Sequence, residues 1–532
     1  MLKFTIDGEE LEVAPGTTIL EAALSRGREV PHYCYHPGLS ISGNCRMCLV
    51  EVEKMPKLVI ACATPVADNM VVHTQNDRVK AAQASIMEFL LVNHPLDCPI
   101  CDQAGECRLQ EYAVDYGTGI SRSIEPKVQQ SKAVDLGKHI LLDQERCIQC
   151  SRCIRFCDEI SGTGELAFFQ RGERTIIGTY PGQRLDNPYS GNTADICPVG
   201  ALTVKEFRFK TRVWYLENTP SVCAGCSRGC NVMVATGKQE KLWTTRGQFG
   251  SGIKRVVPRA NMDVNAHWIC DEGRLSYRTV EDSDRMLKAQ APSESAIDWD
   301  EGVQKVAAAL KSAGDRAAVL FSPRHTNETY YAWKRLLDAM GIERVGVRSL
   351  RRGEDDKLLI RADKGANSLG AGWVLGEQAT EARVLDAVRD GHVDLLVTVG
   401  DPLDPADDVN DADLSSLNVK QRIHVGPFQR STAGATISLP APPWSEEDGT
   451  MTNFEGRVQR VRRARVPRGE ARPAWRLVAD LAEAASVEFP SWGSAADVLV
   501  TLSENCKPFE GLDEEAVGLL GVASAATAPA GS

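Results

Sequence analysis

No run of apolar residues in this chain approaches the roughly 20 needed to cross a bilayer as a helix. The most apolar tail, AVGLLGVASAATAPAG, is short and rich in Ala and Gly. The opening MLKFTIDGEELEV lacks the apolar core of a signal peptide and reads instead as a hairpin around a D-G turn. Basic charge is in deficit: 61 Lys and Arg face 72 Asp and Glu, for a formal net charge of -11. That balance excludes generic binding to a phosphate backbone, which recruits Lys and Arg. No G-x-G-x-x-G follows a strand-like run and no G-x-x-x-x-G-K-[ST] occurs, so no dinucleotide or nucleotide site is expected. Cysteine is missing from 271 to 505, and Cys506 stands alone. The expectation is a cytosolic protein that meets a membrane only through partners.

The length of 532 residues exceeds one ordinary core, so several domains are expected. A hydrophobic content of 43% and a charged content of 25% are those of a globular protein. What the chain has in quantity is grouped cysteine: sixteen of its 17 lie between 34 and 270. In a reducing compartment such grouping points to metal ligation rather than disulfides.

Four donor sets follow one another. Cys34, Cys45, Cys48 and Cys62 are spaced C-x10-C-x2-C-x13-C, after a hairpin over 2–13 and a helix-like TTILEAALSRG. Four thiolates in a long Gly-containing loop suit a [2Fe–2S] centre, two on each iron, with a four-cysteine zinc site as the alternative. The segment resembles plant-type [2Fe–2S] ferredoxins with a different ligand spacing. The second set, HPLDCPICDQAGEC, places His94, Cys98, Cys101 and Cys107 just after an amphipathic helix that Pro95 ends. Taken alone, it is compatible with zinc held by three cysteines and one histidine.

The third set is Cys147, Cys150 and Cys153 in CIQCSRCIRFC, completed by Cys197-Pro198. Three close thiolates and a remote C-P suit a [4Fe–4S] cubane. Cys157 has no second C-x2-C-x2-C to serve, so it reads as a packed free thiol. The fourth set is Cys223, Cys226 and Cys230, with Cys270 after a gap of 39 residues. A complete [4Fe–4S] site is one reading. A triplet unrelated to Cys270, binding zinc or an incomplete cluster, is the other.

Taken in order, these motifs resemble the large iron–sulfur subunit family of respiratory complex I, the NADH:quinone oxidoreductase, over residues 1 to about 272. The resemblance implies a binuclear centre on Cys34, Cys45, Cys48 and Cys62. It implies a His-ligated cubane on His94, Cys98, Cys101 and Cys107. A third centre falls to Cys147, Cys150, Cys153 and Cys197, and a fourth to Cys223, Cys226, Cys230 and Cys270. The last gap is longer than the family's, and an insertion around GQFGSGIKRVVPRANMD accounts for it. Related versions of the first three sets occur in iron-only hydrogenases and in electron-transfer subunits of NAD-linked hydrogenases and formate dehydrogenases.

Residues 298–482 alternate helix-like and strand-like segments, which implies an α/β domain with a mostly parallel sheet. GANSLGAGWVLG and EDGTMTNFEGRVQRV resemble segments of the molybdopterin-dependent oxidoreductase fold. The region is too short for a bis-pterin fold and offers no Cys as metal ligand between 271 and 505, so it reads as a reduced, non-catalytic version.

The expected fold is thus a multidomain α+β chain. A [2Fe–2S] ferredoxin-like (β-grasp) domain spans 1–78 and a His-ligated [4Fe–4S] domain 79–118. A [4Fe–4S] ferredoxin-like domain spans 138–215 and a molybdopterin-oxidoreductase-type [4Fe–4S] domain 216–272. The reduced α/β domain spans 296–510, and 511–532 reads as a disordered tail. Residues 118–137 read as a connector and 278–295 as a linker.

By the resemblance, the chain is an electron-transfer subunit in the peripheral arm of a proton-translocating complex on the cytoplasmic face of the inner membrane. Its partners would be a flavin/NADH-binding subunit with its small [2Fe–2S] companion, a two-cluster ferredoxin-like subunit and the quinone-site peripheral subunits. Molybdopterin, flavin, NAD and nucleic acid are not expected on this chain, nor is a catalytic acid, base or nucleophile. The alternative is an electron-transfer subunit of a soluble NAD-linked hydrogenase or formate dehydrogenase.

Overall fold

The Asp7-Gly8 pair turns the chain back on itself with both residues at positive φ (48° and 86°), as a two-residue hairpin requires. This hairpin, Leu2–Ile6 with Glu9–Val13, is one side of a five-stranded mixed sheet. Met70–His73 runs parallel to Leu2–Ile6, and Leu49–Val52 and Val59–Ile60 complete the sheet. The helix Ile19–Ser25 starts in a capping box between Thr18 and Glu21 and buries Ile19, Leu20, Ala22 and Ala23. Its core partners include Phe4, Ile6, Val50, Val52, Val72 and the side chains of Cys48 and Cys62. This is the expected β-grasp arrangement.

The computed structural model describes residues 1–238, 252–291, 296–400, 419–432 and 434–526, and divides into two units, Met1–Leu216 and Glu217–Ser532. Residues 247–251 of the expected insertion at 247–263, residues 292–295 at the end of the linker and the last six residues of the tail lie outside the described residues.

In the first unit, the helix Asp77–Val92 is capped by Asn76 and stops just short of His94. Residues 118–137, expected as a connector, are partly built in. Arg122 pairs with Glu88, and Lys127 Nζ donates to the Leu91 and Val92 carbonyls at 2.8 Å each, capping the helix C-terminus with a cation. Val134–Asp135 already pairs with Ile140–Leu142, which pairs in turn with Leu202–Val204. A hairpin, Leu166–Phe169 with Ile176–Thr179, lies between the C-x2-C-x2-C loop and Cys197.

At the start of the second unit, Leu216–Val222, Asn231–Gly237 and Ile253–Pro258 form a three-stranded sheet in that order, the last two antiparallel. Its α/β body is a five-stranded sheet, parallel throughout. The order is Arg344–Val347, Ala317–Phe321, Leu395–Val399, Gln421–Gly426 and Ile437–Pro440. Ala317–Phe321 and Leu395–Val399 are buried at every position, as expected for strands covered on both faces. Trp299–Ala313, Asn327–Ala339, Ala474–Ala484 and Ala495–Asn505 contribute the apolar helix faces.

Two expectations are corrected in this unit. Residues 278–291 are not a free linker. Met286 and Ala289 are fully buried, Gln290 bridges to Ser438 beside the sheet, and Arg285 makes a two-pronged pair with Glu446 in the interior (2.9 and 2.7 Å). Nor are residues 511–526 a disordered tail. Glu514–Val517 is helical, and Val522–Ala523 adds a strand beside Arg457–Val461. The composition is Ala/Gly-rich, but pairing with a distant strand satisfies the backbone.

Candidate metal centres

The first set lies in one loop and at the end of one strand. Cys34, Cys48 and Cys62 are about 1% exposed and Cys45 is half-buried. Positive φ at Gly43 and Arg46 curls the loop, and the Cys34 N–H points to Cys45 Sγ at 3.5 Å. The thiols contact one another. Hydrogen bonds from Cys45 and Cys62 hold the Cys34 thiol far below its ordinary range. The same contacts push Cys45 and Cys62 up. Sulfurs in such mutual contact are poised to be thiolates once a cation replaces their protons.

The second set is clamped from several sides. Arg146, 4% exposed, donates to Asp97 at 3.0 Å. Arg212 donates to the Cys101 carbonyl at 2.6 Å and to the Pro99 carbonyl, and the Phe209 N–H donates to Asp102. Cys107 stands at the N-terminus of the helix Arg108–Asp115. Burial, reinforced by Arg146, pushes His94 down to about 4, so its imidazole is neutral near pH 7 and has a lone pair to offer. Burial raises the Cys101 and Cys107 thiols, and both lie in the field of the exposed Cys98.

The third set lines one apolar pocket: Cys147, Cys150, Cys153 and Cys197, with Ile148, Ile177, Val199, Ala201 and Leu202. Gln149 and Ser151 both adopt positive φ, which wraps the C-x2-C-x2-C loop and aims the Gln149 N–H at Cys147 Sγ (3.4 Å). Burial pushes Cys147 up to about 12 and Cys150 up to about 11. Thiolates here therefore need a bound cation. Cys157 is fully buried but is not among the pocket's lining residues.

The 197–200 loop belongs to two sites. Cys197 faces the third pocket, while the Pro198 carbonyl accepts from Cys107 Sγ at 3.8 Å. A Cβ on Gly200 would stand 2.2 Å from Cys101 Sγ. Arg155 binds the first and third sets together, donating to the Cys34 carbonyl at 2.6 Å and the Cys150 carbonyl at 3.4 Å.

The fourth set, in the second unit, also lines one pocket. Cys223, Cys226, Cys230 and Cys270 meet there with Ile269, Leu359, Ile360 and Lys364. Asn231–Gly237 leads away from Cys230, and Ile253–Pro258 pairs back along it, so the long gap returns Cys270 to the triplet. Gly225 N–H and Gly273 N–H point to Cys223 Sγ (3.4 Å) and Cys270 Sγ (3.3 Å). A Cβ on Gly273 would lie 2.9 Å from Cys223 Sγ. These glycines and the clamping arginines were missed in the sequence. Arg152 and Arg155 within CSRCIRFC were the visible signal.

Among the described residues, no three or more Cys, His, Asp or Glu side chains form a group set for a single metal ion. The donor chemistry fits iron–sulfur clusters: soft thiolates, all but Cys98 buried or half-buried, with backbone N–H groups aimed at Cys45, Cys147, Cys223 and Cys270. No described helix is long and apolar enough to cross a membrane.

Four family models match parts of the chain. Residues 1–77 match the family described as 2Fe-2S iron-sulfur cluster binding domain, and 83–122 match the NADH-ubiquinone oxidoreductase-G iron-sulfur binding region. Residues 137–203 match the NADH-quinone oxidoreductase subunit 3 ferredoxin-like domain, and 376–484 match molybdopterin oxidoreductase.

The chain is 41% identical over 350 residues to the G subunit of NADH-quinone oxidoreductase from Rickettsia bellii, covering 65% of this chain and 50% of the relative. It is 45% identical over 277 residues to the NADH-ubiquinone oxidoreductase 75 kDa subunit of Reclinomonas americana, covering 52% and 38%. One solved structure, an NAD+-reducing [NiFe]-hydrogenase, aligns at 32% identity with a TM-score of 0.37, covering 40% of this chain and 91% of that one. The chain spans about half the length of the curated relatives it matches first. It is a homologue of the G subunits of NADH-quinone oxidoreductase, with a 2Fe-2S domain, 4Fe-4S iron–sulfur regions and a C-terminal molybdopterin-oxidoreductase-like domain.

Proposed function

We propose that this chain is an iron–sulfur electron-transfer subunit of NADH:quinone oxidoreductase. It works in the peripheral arm of the complex and relays electrons from the NADH/flavin subunit toward quinone. Its resident groups are one [2Fe–2S] cluster on Cys34, Cys45, Cys48 and Cys62, and three [4Fe–4S] clusters. These last lie on His94, Cys98, Cys101 and Cys107; on Cys147, Cys150, Cys153 and Cys197; and on Cys223, Cys226, Cys230 and Cys270. The domains follow the sets, at 1–78, 79–118, 138–215, 216–272 and 296–510. When bound, the clusters supply one-electron redox chemistry at each site.

The chain's own residues do the rest. The thiols and His94 hold the sites, and the apolar lining of the third pocket excludes water there. Arg146, Arg212 and Arg155 fix the loops that carry the donors, so that neighbouring sites keep a constant separation. The observation that carries this reading is the sharing of structural elements between sites in the first unit. The 197–200 loop touches donors of the second and third sets, and Arg155 touches the first and third. A scaffold of isolated metal sites has no need of such contacts, whereas a relay depends on them.

The partners follow the same reading: the flavin/NADH-binding subunit with its small [2Fe–2S] companion, a two-cluster ferredoxin-like subunit and the quinone-site subunits. Membrane attachment, at the cytoplasmic face, comes through the complex. Affinity purification of the tagged chain from membranes tests this. The expected result is co-purification with flavin and membrane subunits and with NADH:quinone reductase activity. Recovery with a soluble hydrogenase or formate dehydrogenase module would replace this function with the alternative one.

A further inference from the structure

Arg152 stands between two of the cysteine sites without a counter-ion. It lies between Cys150 and Cys153 in sequence and is 8% exposed. One Nη donates at 3.0 Å to the carbonyl of Ile196, the residue before Cys197. The other donates to the carbonyl of Tyr35, the residue after Cys34. Both acceptors are neutral, and Nε is buried with no acceptor. Among the described residues, no carboxylate lies within ion-pair distance of it. Its charged neighbours are the Arg108 guanidinium, which has its own sign, and the sulfurs of Cys150, Cys197 and Cys34, which oppose it once they are thiolates. An arginine stays protonated in a protein, and a buried cation without a partner is costly. The compensating charge must therefore come from the thiolate sites on either side.

We propose that Arg152 is a shared electrostatic positioning residue for the binuclear site and the all-cysteine site, one cation that raises the midpoint potential of both. Reduction of either centre by one electron adds one negative charge and breaks no bond. A fixed cation nearby, in a medium less polarisable than water, favours that added charge. Arg155 reaches the same two loops, but one arm of its contacts lies at the surface, where water screens its charge. The inference rests on the cluster assignment above.

The test is a potentiometric titration followed by EPR on the full chain and on three variants, Arg152→Gln, Arg152→Met and Arg152→Lys, with iron and sulfide counted in each. Two neutral variants guard against a failure of either one to assemble. The expected result is a downward shift of both midpoints in the neutral variants. The His-ligated and fourth centres should be unmoved, and Arg152→Lys should lie nearer the wild type. Unchanged midpoints in iron-replete neutral variants would overturn the inference alone, as would an equal shift in the fourth centre. A wild-type chain without either EPR signal would overturn the cluster assignment and this inference with it.

Discussion

Gly200→Ala adds one methyl group where the second and third sites meet. The new carbon would lie 2.2 Å from Cys101 Sγ and 3.2 Å from Gln103 Cβ. Ordinary carbon contacts begin near ~3.5 Å, so Cys101 or the 197–200 loop must shift by roughly 1.3 Å. Neither can move freely. Cys101 is held through its carbonyl by Arg212, and the loop is held by Cys197 on one side and the Cys107 contact on the other. Overpacking of this kind costs about 1–3 kcal/mol. The displaced atom is a donor sulfur, so the damage should appear in the cluster before it appears in the fold.

The assay is iron and sulfide content with EPR, alongside chemical denaturation. The expected outcome is loss or distortion of the His-ligated signal, with the binuclear and fourth signals retained. A Gly200→Ala chain with full iron and an unaltered His-ligated signal would refute the claim that this loop is shared between two sites.

Three further outcomes are expected. His94→Cys exchanges a neutral donor for a thiolate and should lower the midpoint of that centre with the cubane intact; an unchanged midpoint in an EPR titration would leave His94 a structural role only. Cys270→Ala should remove the fourth signal and no other, and loss of a different signal would contradict the quartet assembled in that pocket. Glu328 is wholly buried, and desolvation raises its carboxyl to about 7 against hydrogen bonds from Thr450. A raised acid binds its proton more tightly when folded, so its contribution to stability is full below about pH 4.5 and is lost as pH rises toward 7. That loss amounts to about 3 kcal/mol. Glu328→Gln should remove this slope, measured as the wild-type-minus-variant difference in denaturation free energy between pH 5 and 8; a flat difference would exclude it.

The grouping of the donors was legible because cluster motifs are local. C-x2-C-x2-C places three sulfurs on one loop whatever surrounds it. The Asp7-Gly8 hairpin and the alternating segments of the α/β body were legible for the same reason, through turn chemistry and periodicity. Cys270 was only a candidate in sequence, since its return depends on Val232 pairing with Pro258 across a long hairpin. The misread segments share one cause. Arg285 looks like linker charge until Glu446, distant in sequence, meets it in the interior. Val522–Ala523 looks like low-complexity tail until Arg457–Val458 pairs with it. Long-range partners decide such segments, and composition does not name them. Arg152 and Gly200 belong to this class too, because their roles exist only once distant cysteine loops are brought together.

The central claim, that four donor sets hold a chain of clusters, is tested most directly by iron and acid-labile sulfide counts with an EPR-monitored redox titration of the anaerobically purified full chain. One [2Fe–2S] and three [4Fe–4S] centres are expected, about fourteen irons in all. A chain that carries zinc, no labile sulfide and no reducible signal would contradict the account.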